Sequence, residues 1–253
     1  MFDVRALCPG KTDKETAEEL ADHFNKISCE FEGLTSIPNG TPGDLPLLEY
    51  HEVSKRIKHY KKPKSRVESD IFPQLMTKYC DFLAMPLTNI YNAITTTSTW
   101  PSAWKVEYVT VIPKKTIPSG FTDLRNISCT PLASKVYETF VRDWAMSQVR
   151  LKRNQYGGVA GCGTQHMLID TWQKIMQNLE DPRAATVIAA IDYAKAFNRM
   201  SFVECLRSFA KKGASTGLLR ILGAFLKGRM MTVRVGESWS DPREVLGLSL
   251  IHI

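Results

Sequence analysis

Apolar residues recur along this chain at two periods, and the changes of period mark its elements. Ala17, Leu20, Ala21, Phe24 and Ile27 fall on one face of a helix. Thr12-x-x-Glu15 ahead of them has the spacing of a capping box. Gly and Pro among Thr, Ser and Asn break the pattern over 33–49, which reads as a linker. Over 50–66, Val53, Ile57 and Tyr60 supply an inner helical face. The outer face is basic, with Lys55, Arg56, Lys58, Lys61, Lys62, Lys64 and Arg66. A longer helix is expected over 70–94, from Phe72 and Leu75 through Tyr91 and Ile94. Pro86 is expected to kink or split it, since proline offers no amide hydrogen to the preceding turn. Trp100-Pro101-Ser102-Ala103-Trp104-Lys105 reads as a turn anchored by tryptophan.

The period then shortens. Val106, Tyr108 and Thr110 alternate with Glu107, Val109 and Val111, as in a strand with one apolar face. Pro113-Lys114-Lys115 ends it, and a loop with Pro118, Ser119 and Gly120 leads to a returning strand over 123–128. The result is a hairpin with Lys114, Lys115 and Arg125 near its tip. Leu132, Val136, Tyr137, Phe140, Val141 and Trp144 mark an amphipathic helix over 131–149. A glycine-rich loop over 155–164 lacks the Gly-Lys-Ser/Thr of a P-loop. It precedes a helix whose Met167, Leu168, Thr171, Trp172, Ile175 and Leu179 are expected to face a core. Val187-Ile188-Ala189-Ala190-Ile191 is a short uncharged run ending in Asp192, and it reads as a buried strand with a carboxylate at its lip. Helices over 201–212 and 217–227, split by Gly213, and an alternating strand over 231–236 complete the pattern.

Composition adds modest constraints. Of 253 residues, 43% are hydrophobic and 23% charged, which allows a substantial core in one large or two small domains. The net charge of +7 suits a polyanionic partner, or no partner. No run approaches the ~18 apolar residues of a membrane helix, and Met1-Phe2-Asp3-Val4-Arg5 lacks a signal-peptide core. The expectation is therefore an intracellular protein with no membrane partner, nucleus and cytoplasm not being distinguished. The six cysteines show no C-x-x-C pair and the five histidines no cluster, so a zinc site is not expected and the thiols are read as reduced.

Several patches have two readings. By spacing alone Asp192 is a helix cap or solvated carboxylate as readily as a metal ligand. The basic helix over 50–66 is a solvated face or a phosphate-tracking one. Lys114-Lys115 is a charged strand edge or part of a triphosphate grip. Lys135 and Glu138 are a surface pair or part of a motif.

The string Asp192-Tyr193-Ala194-Lys195-Ala196-Phe197-Asn198-Arg199 closely resembles the first catalytic motif of reverse transcriptases of non-LTR, LINE-type retrotransposons, with Asn198 where that family usually has Asp. Further matches come in the family's order. They are Val53-Ser54-Lys55-Arg56-Ile57 with Lys64-Ser65, then Pro101-x-x-Trp104-Lys105, then Arg125-Asn126-Ile127-Ser128, with Asn for the family's Pro. Lys135-x-x-Glu138, Gln155-x-Gly157 with Gly161 and Thr164, Leu226-x-x-Arg229, and Val233-x-Val235-Gly236 follow. The loop usual after Lys64-Ser65 is replaced by Arg66-Val67-Glu68-Ser69-Asp70.

The resemblance implies an α+β fold: the fingers and partial palm of a right-hand polymerase. The domains expected are an N-terminal helix and linker over 1–49, fingers over 50–182, a partial palm over 183–247 and a divergent tail over 248–253. The activity implied is RNA-directed DNA synthesis from an RNA template, a DNA primer and dNTPs, with Mg²⁺. Asp192 is then the catalytic metal ligand. Arg125 and Lys114 bind triphosphate, and Phe197 with Tyr193 lies at the nucleotide, Phe197 excluding a 2′-hydroxyl. Gln155, Thr164 and Lys115 contact template or other nucleic acid. The family's Pro-Gln-Gly and Tyr-x-Asp-Asp motifs do not occur after Gly247. The expectation is thus a truncated polymerase, inactive as an isolated chain. The alternative is a non-catalytic nucleic-acid-binding protein derived from the same fold.

Overall fold

The computed structural model describes residues 2–28, 45–60, 71–193 and 200–246. The fold is α+β with a small mixed sheet. It divides into two units, one made of Met1–Val149 with Phe197–His252, the other of Arg150–Ala196.

In the first unit α1 (Asp13–Ser28) begins at the expected capping box. The Thr12 amide donates to Glu15 Oε2 at 2.8 Å and the Glu15 amide to Thr12 Oγ1 at 3.3 Å. Helices α2 (Tyr50–Lys58), α3 (Pro73–Lys78) and α4 (Cys80–Thr97) follow. The hairpin is β1 (Val106–Pro113) and β2 (Leu124–Cys129), paired antiparallel with Ile112 opposite Arg125. After α5 (Leu132–Gln148), the chain returns to this unit in α7 (Phe202–Lys211) and α8 (Thr216–Leu226). It closes with β3 (Met230–Val235), β4 (Ser238–Trp239) and β5 (Arg243–Glu244). The sheet order is β2-β1-β3-β4, with β3 parallel to β1 and β5 antiparallel to β3.

Two cores result. The apolar face of α1 (Ala17, Leu20, Ala21, Phe24) packs on Val109, Leu124, Met231, Val233, Val235 and Val245 of the sheet and its margin. The other core joins α2, α3, α4, α5, α7 and α8 around buried aromatics. Tyr91 stacks on Tyr137 at 5.0 Å, and Trp100 meets Tyr137 edge-on at 5.2 Å. Their polar ends are satisfied. The Trp100 indole donates to the Ile221 carbonyl, the Tyr91 hydroxyl to the Ala133 carbonyl, and the Tyr137 hydroxyl shares a bond with Thr95 Oγ1. Burial pushes both tyrosine hydroxyls well above their ordinary pKa.

Pro86 does not break its helix. The interruption falls at Tyr79, and α4 runs through Pro86. Pro86 faces water and Phe82 is 81% exposed, so the Phe82 carbonyl that loses its amide partner lies on the solvated side, where the loss costs least. A second departure is Glu107. It lies on the inward face of β1 beside Val109 and is 2% exposed. Arg229, 1% exposed, meets it with Nε to Oε1 at 2.9 Å and stacks on the Phe225 ring at 4.2 Å.

The second unit holds α6 (Thr164–Leu179). It forms where the apolar period predicts, but none of its side chains is buried. Leu168 is 60%, Trp172 64% and Leu179 57% exposed. Periodicity says which residues share a face, not whether anything packs there. The strand expected over 187–192 is absent too. These residues have no regular secondary structure, and Val187 is 89% exposed. A strand persists only if a neighbour takes its N–H and C=O groups, and none of the five described strands pairs with this run. Among the described residues no helix is long and apolar enough to cross a membrane. The five described cysteines are free thiols.

Two substitutions test the sheet. Arg229→Met removes the guanidinium from the buried Glu107 carboxylate, and is expected to cost about 3–5 kcal/mol in urea unfolding at neutral pH. Gly236 opens the β3–β4 turn with φ of +56°, and a Cβ there would collide with the Asp13 carboxylate. Gly236→Ala is expected to cost about 1–2 kcal/mol, read as a lower unfolding midpoint with an unchanged denaturant slope.

Candidate functional site

Side chains alternate across a sheet, so the two faces of the β1–β2 hairpin differ in character. Val109, Val111 and Leu124 turn toward α1. Thr110, Ile112 and Arg125 lie on the opposite face and are exposed. Arg125 thus stands on a paired strand, and its side chain makes no ion pair or hydrogen bond among the described residues. Among the described strands β2 is the edge of the sheet.

The tip beyond Arg125 is ordered by polar bonds. The Lys114 amide donates to the Asp123 carbonyl at 2.7 Å, carrying the strand pairing one step past β1. Lys114 Nζ donates to the Thr122 carbonyl at 2.8 Å. Lys115 Nζ meets Asp123 Oδ1 at 2.7 Å. Asp123 also accepts from the Ser119 amide (3.0 Å) and hydroxyl (2.9 Å). The Lys115 ammonium, then the two Ser119 donors, hold the Asp123 carboxyl down at about 2, from an ordinary 3.8. Lys115 is therefore engaged in shaping the loop. Lys114 remains exposed near Arg125, with one bond to a backbone carbonyl. The same face carries Arg234 over the Trp239 ring at 5.5 Å, with Tyr108 edge-on to Trp239 at 5.4 Å, and these three side chains are half-buried. Arg234 was visible in the sequence only as a polar position of an alternating strand, and nothing there singled it out.

On α2 the expected inner face is real: Val53 and Ile57 are buried. Of its cations, Arg56 is taken up internally by Asp143 (2.8 Å), Thr139 (3.1 Å) and the Phe140 ring (4.3 Å). Lys55 and Lys58 are exposed, and Lys61, Lys62, Lys64 and Arg66 lie outside the described residues.

The remaining candidates belong to the second unit. Gln155 is exposed and its Nε2 donates to the Gly157 carbonyl at 2.9 Å. Gly158 and Gly161 adopt φ of +75° and +77°, which gives the glycine-rich loop its turns. Thr164 is the first residue of α6 and is exposed. Asp192 and Tyr193 are exposed, on a stretch without regular structure rather than at a strand end. Phe197 lies outside the described residues.

Catalytic phosphoryl transfer with two Mg²⁺ ions about 3.5–4 Å apart needs several carboxylate oxygens around both ions. Among the described residues no three His, Cys, Asp or Glu side chains are gathered. Asp192 supplies one carboxylate. These residues do not compose a two-ion centre, and no reaction step follows from them. No protein-family model matches the chain, and neither does any curated protein sequence.

The Asp123 interactions generate a pH dependence. Its carboxyl pKa is depressed on folding, so its stabilising contribution is present above about 4, the unfolded value, and is lost as pH falls through about 2. Wild-type protein is expected to exceed Asp123→Asn in denaturant midpoint at pH 6. The gap should close between pH about 4 and about 2, as followed by urea titrations at several acidic pH values.

Proposed function

We propose that this chain forms the fingers region and first part of the palm of an RNA-directed DNA polymerase resembling those of non-LTR retrotransposons. Its partners are an RNA template, a DNA primer and incoming dNTPs, and Mg²⁺ is the ion of the parent reaction. The observation that carries the proposal is Arg125, an exposed cation on a paired strand of a hairpin whose tip bears the exposed Lys114. A triphosphate needs such cations over its β and γ oxygens as charge develops on pyrophosphate. An arginine fork meets phosphate oxygens in pairs. The ordered motif matches from Trp104-Lys105 through Arg125 and Gln155 to Asp192 and Gly236 support the same reading.

Of the family's three catalytic carboxylates the reading assigns one here, Asp192, and a two-ion reaction calls for the others as well. A second reading, nucleic-acid binding without chemistry, draws on the same exposed cations at the hairpin tip and on α2.

Binding separates these readings. Arg125→Ala is expected to weaken dATP binding about 10- to 100-fold with an unchanged circular dichroism spectrum. Equal dATP binding by both proteins would remove the triphosphate role. Affinity for an RNA–DNA hybrid is expected to fall with salt, about 0.9 log unit per log unit of salt for each phosphate contact. Hybrid binding that dATP leaves untouched in both proteins favours the non-catalytic reading. Mg²⁺-dependent primer extension by the chain, abolished in Asp192→Ala, would sink the one-carboxylate conclusion.

A further inference from the structure

The helical turn Ser102–Lys105 ends where the parallel contact of β1 with β3 begins. Val106 stands opposite Met230 there, which sets Lys105 alongside Arg229. The Lys105 side chain is half-buried, and its Nζ donates to the Lys227 carbonyl at 2.8 Å. Among the described residues it has no carboxylate partner. The charged groups beside it are Arg229, which the Glu107 carboxylate engages, and the exposed Lys227 just after α8. Lys14, Lys115 and Lys174 differ, since each meets a carboxylate at 2.7 Å.

We propose that Lys105 is an acylation site, and that its donor is an acyl phosphate. A lysine is a nucleophile only as the neutral amine, and partial burial beside other cations favours that form. Burial, then Arg229 and Lys227, push Lys105 below the ordinary lysine pKa. The Asp241 and Glu18 carboxylates push Lys14 the other way. The bond to the Lys227 carbonyl survives the loss of a proton. A neutral amine keeps two N–H groups, gives one to the carbonyl and presents its lone pair elsewhere. The Lys227 ammonium selects the donor, because a cation that acts on Lys105 also attracts a phosphate brought to it.

The step balances without a further reagent. The neutral Nζ attacks the acyl carbon, and a C–N bond forms. The C–O bond to phosphate breaks, and phosphate leaves with the electron pair. The extra proton on nitrogen passes to the phosphate or to water. The product amide is uncharged and retains an N–H for the Lys227 carbonyl. The inference rests on this corner of the sheet and does not depend on the polymerase reading.

Limiting acetyl phosphate added to the full chain over a pH series, with mass spectrometry of its peptides, tests it. Lys105 is expected to be acetylated about tenfold faster than Lys14 at pH about 8, since one pKa unit between two amines changes the ratio of their neutral fractions about tenfold. Its rate should level off at a lower pH than that of Lys14. Lys227→Glu sets a carboxylate where the cation was. It should slow acetylation of Lys105 severalfold and move its profile to higher pH, with circular dichroism and thermal unfolding as in wild type. A Lys105 acetylated no faster than Lys14 in wild-type protein, or a Lys105 rate and profile unchanged in Lys227→Glu, would each overturn the proposal.

Discussion

The sheet of the first unit depends on a parallel contact between β1 and β3, strands that are far apart in sequence, and one buried ion pair closes it. Glu107 of β1 and Arg229 just before β3 meet at 2.9 Å, both nearly without solvent. Burying two charges costs several kcal/mol per ion unless the geometry supplies full compensation. Here the guanidinium also lies on the Phe225 ring and points toward the Phe225 carbonyl, while the Arg229 carbonyl accepts from the Val245 amide at 2.9 Å. One residue thus ties β1, the end of α8 and the β5 margin together. A slipped register would strand a charge in the core, which penalises that alternative.

That closure decides where the candidate phosphate ligand points. With β1 held, α1 covers the face bearing Val109, Leu124 and Val233, while Thr110, Ile112 and Arg125 on the other face are exposed. Ion pairs reinforce the cover: Arg243 to Glu18 and Asp22, and Lys14 to Asp241, join α1 to the chain after β4. Single exposed pairs are worth little, but these form a connected set along one seam. Arg125 therefore projects from a backbone clamped on one side.

The second unit shows the reverse condition. α6 closes its hydrogen bonds within itself and forms without a buried face. Residues 187–192 have strand composition but no described strand beside them, and they are irregular and exposed. Helices are satisfied locally and strands are not, so the same apolar content gives order in one case and an unmet interface in the other.

Much of this was legible in the residues alone. The capping box at Thr12 and Glu15, the buried faces of α1, α2 and α5, the β1–β2 hairpin, the Gly213 break between α7 and α8 and the alternation of β3 all follow from periods and turn chemistry. Those are short-range properties written into neighbouring residues. Only the tertiary structure decided that Glu107 is buried with Arg229, that Lys115 and Arg56 are engaged internally, that Pro86 is tolerated on a wet helix face, and that the apolar run before Asp192 pairs with none of the described strands. Each depends on what lies across space rather than along the chain, and a pattern of hydrophobicity carries no record of its eventual neighbours.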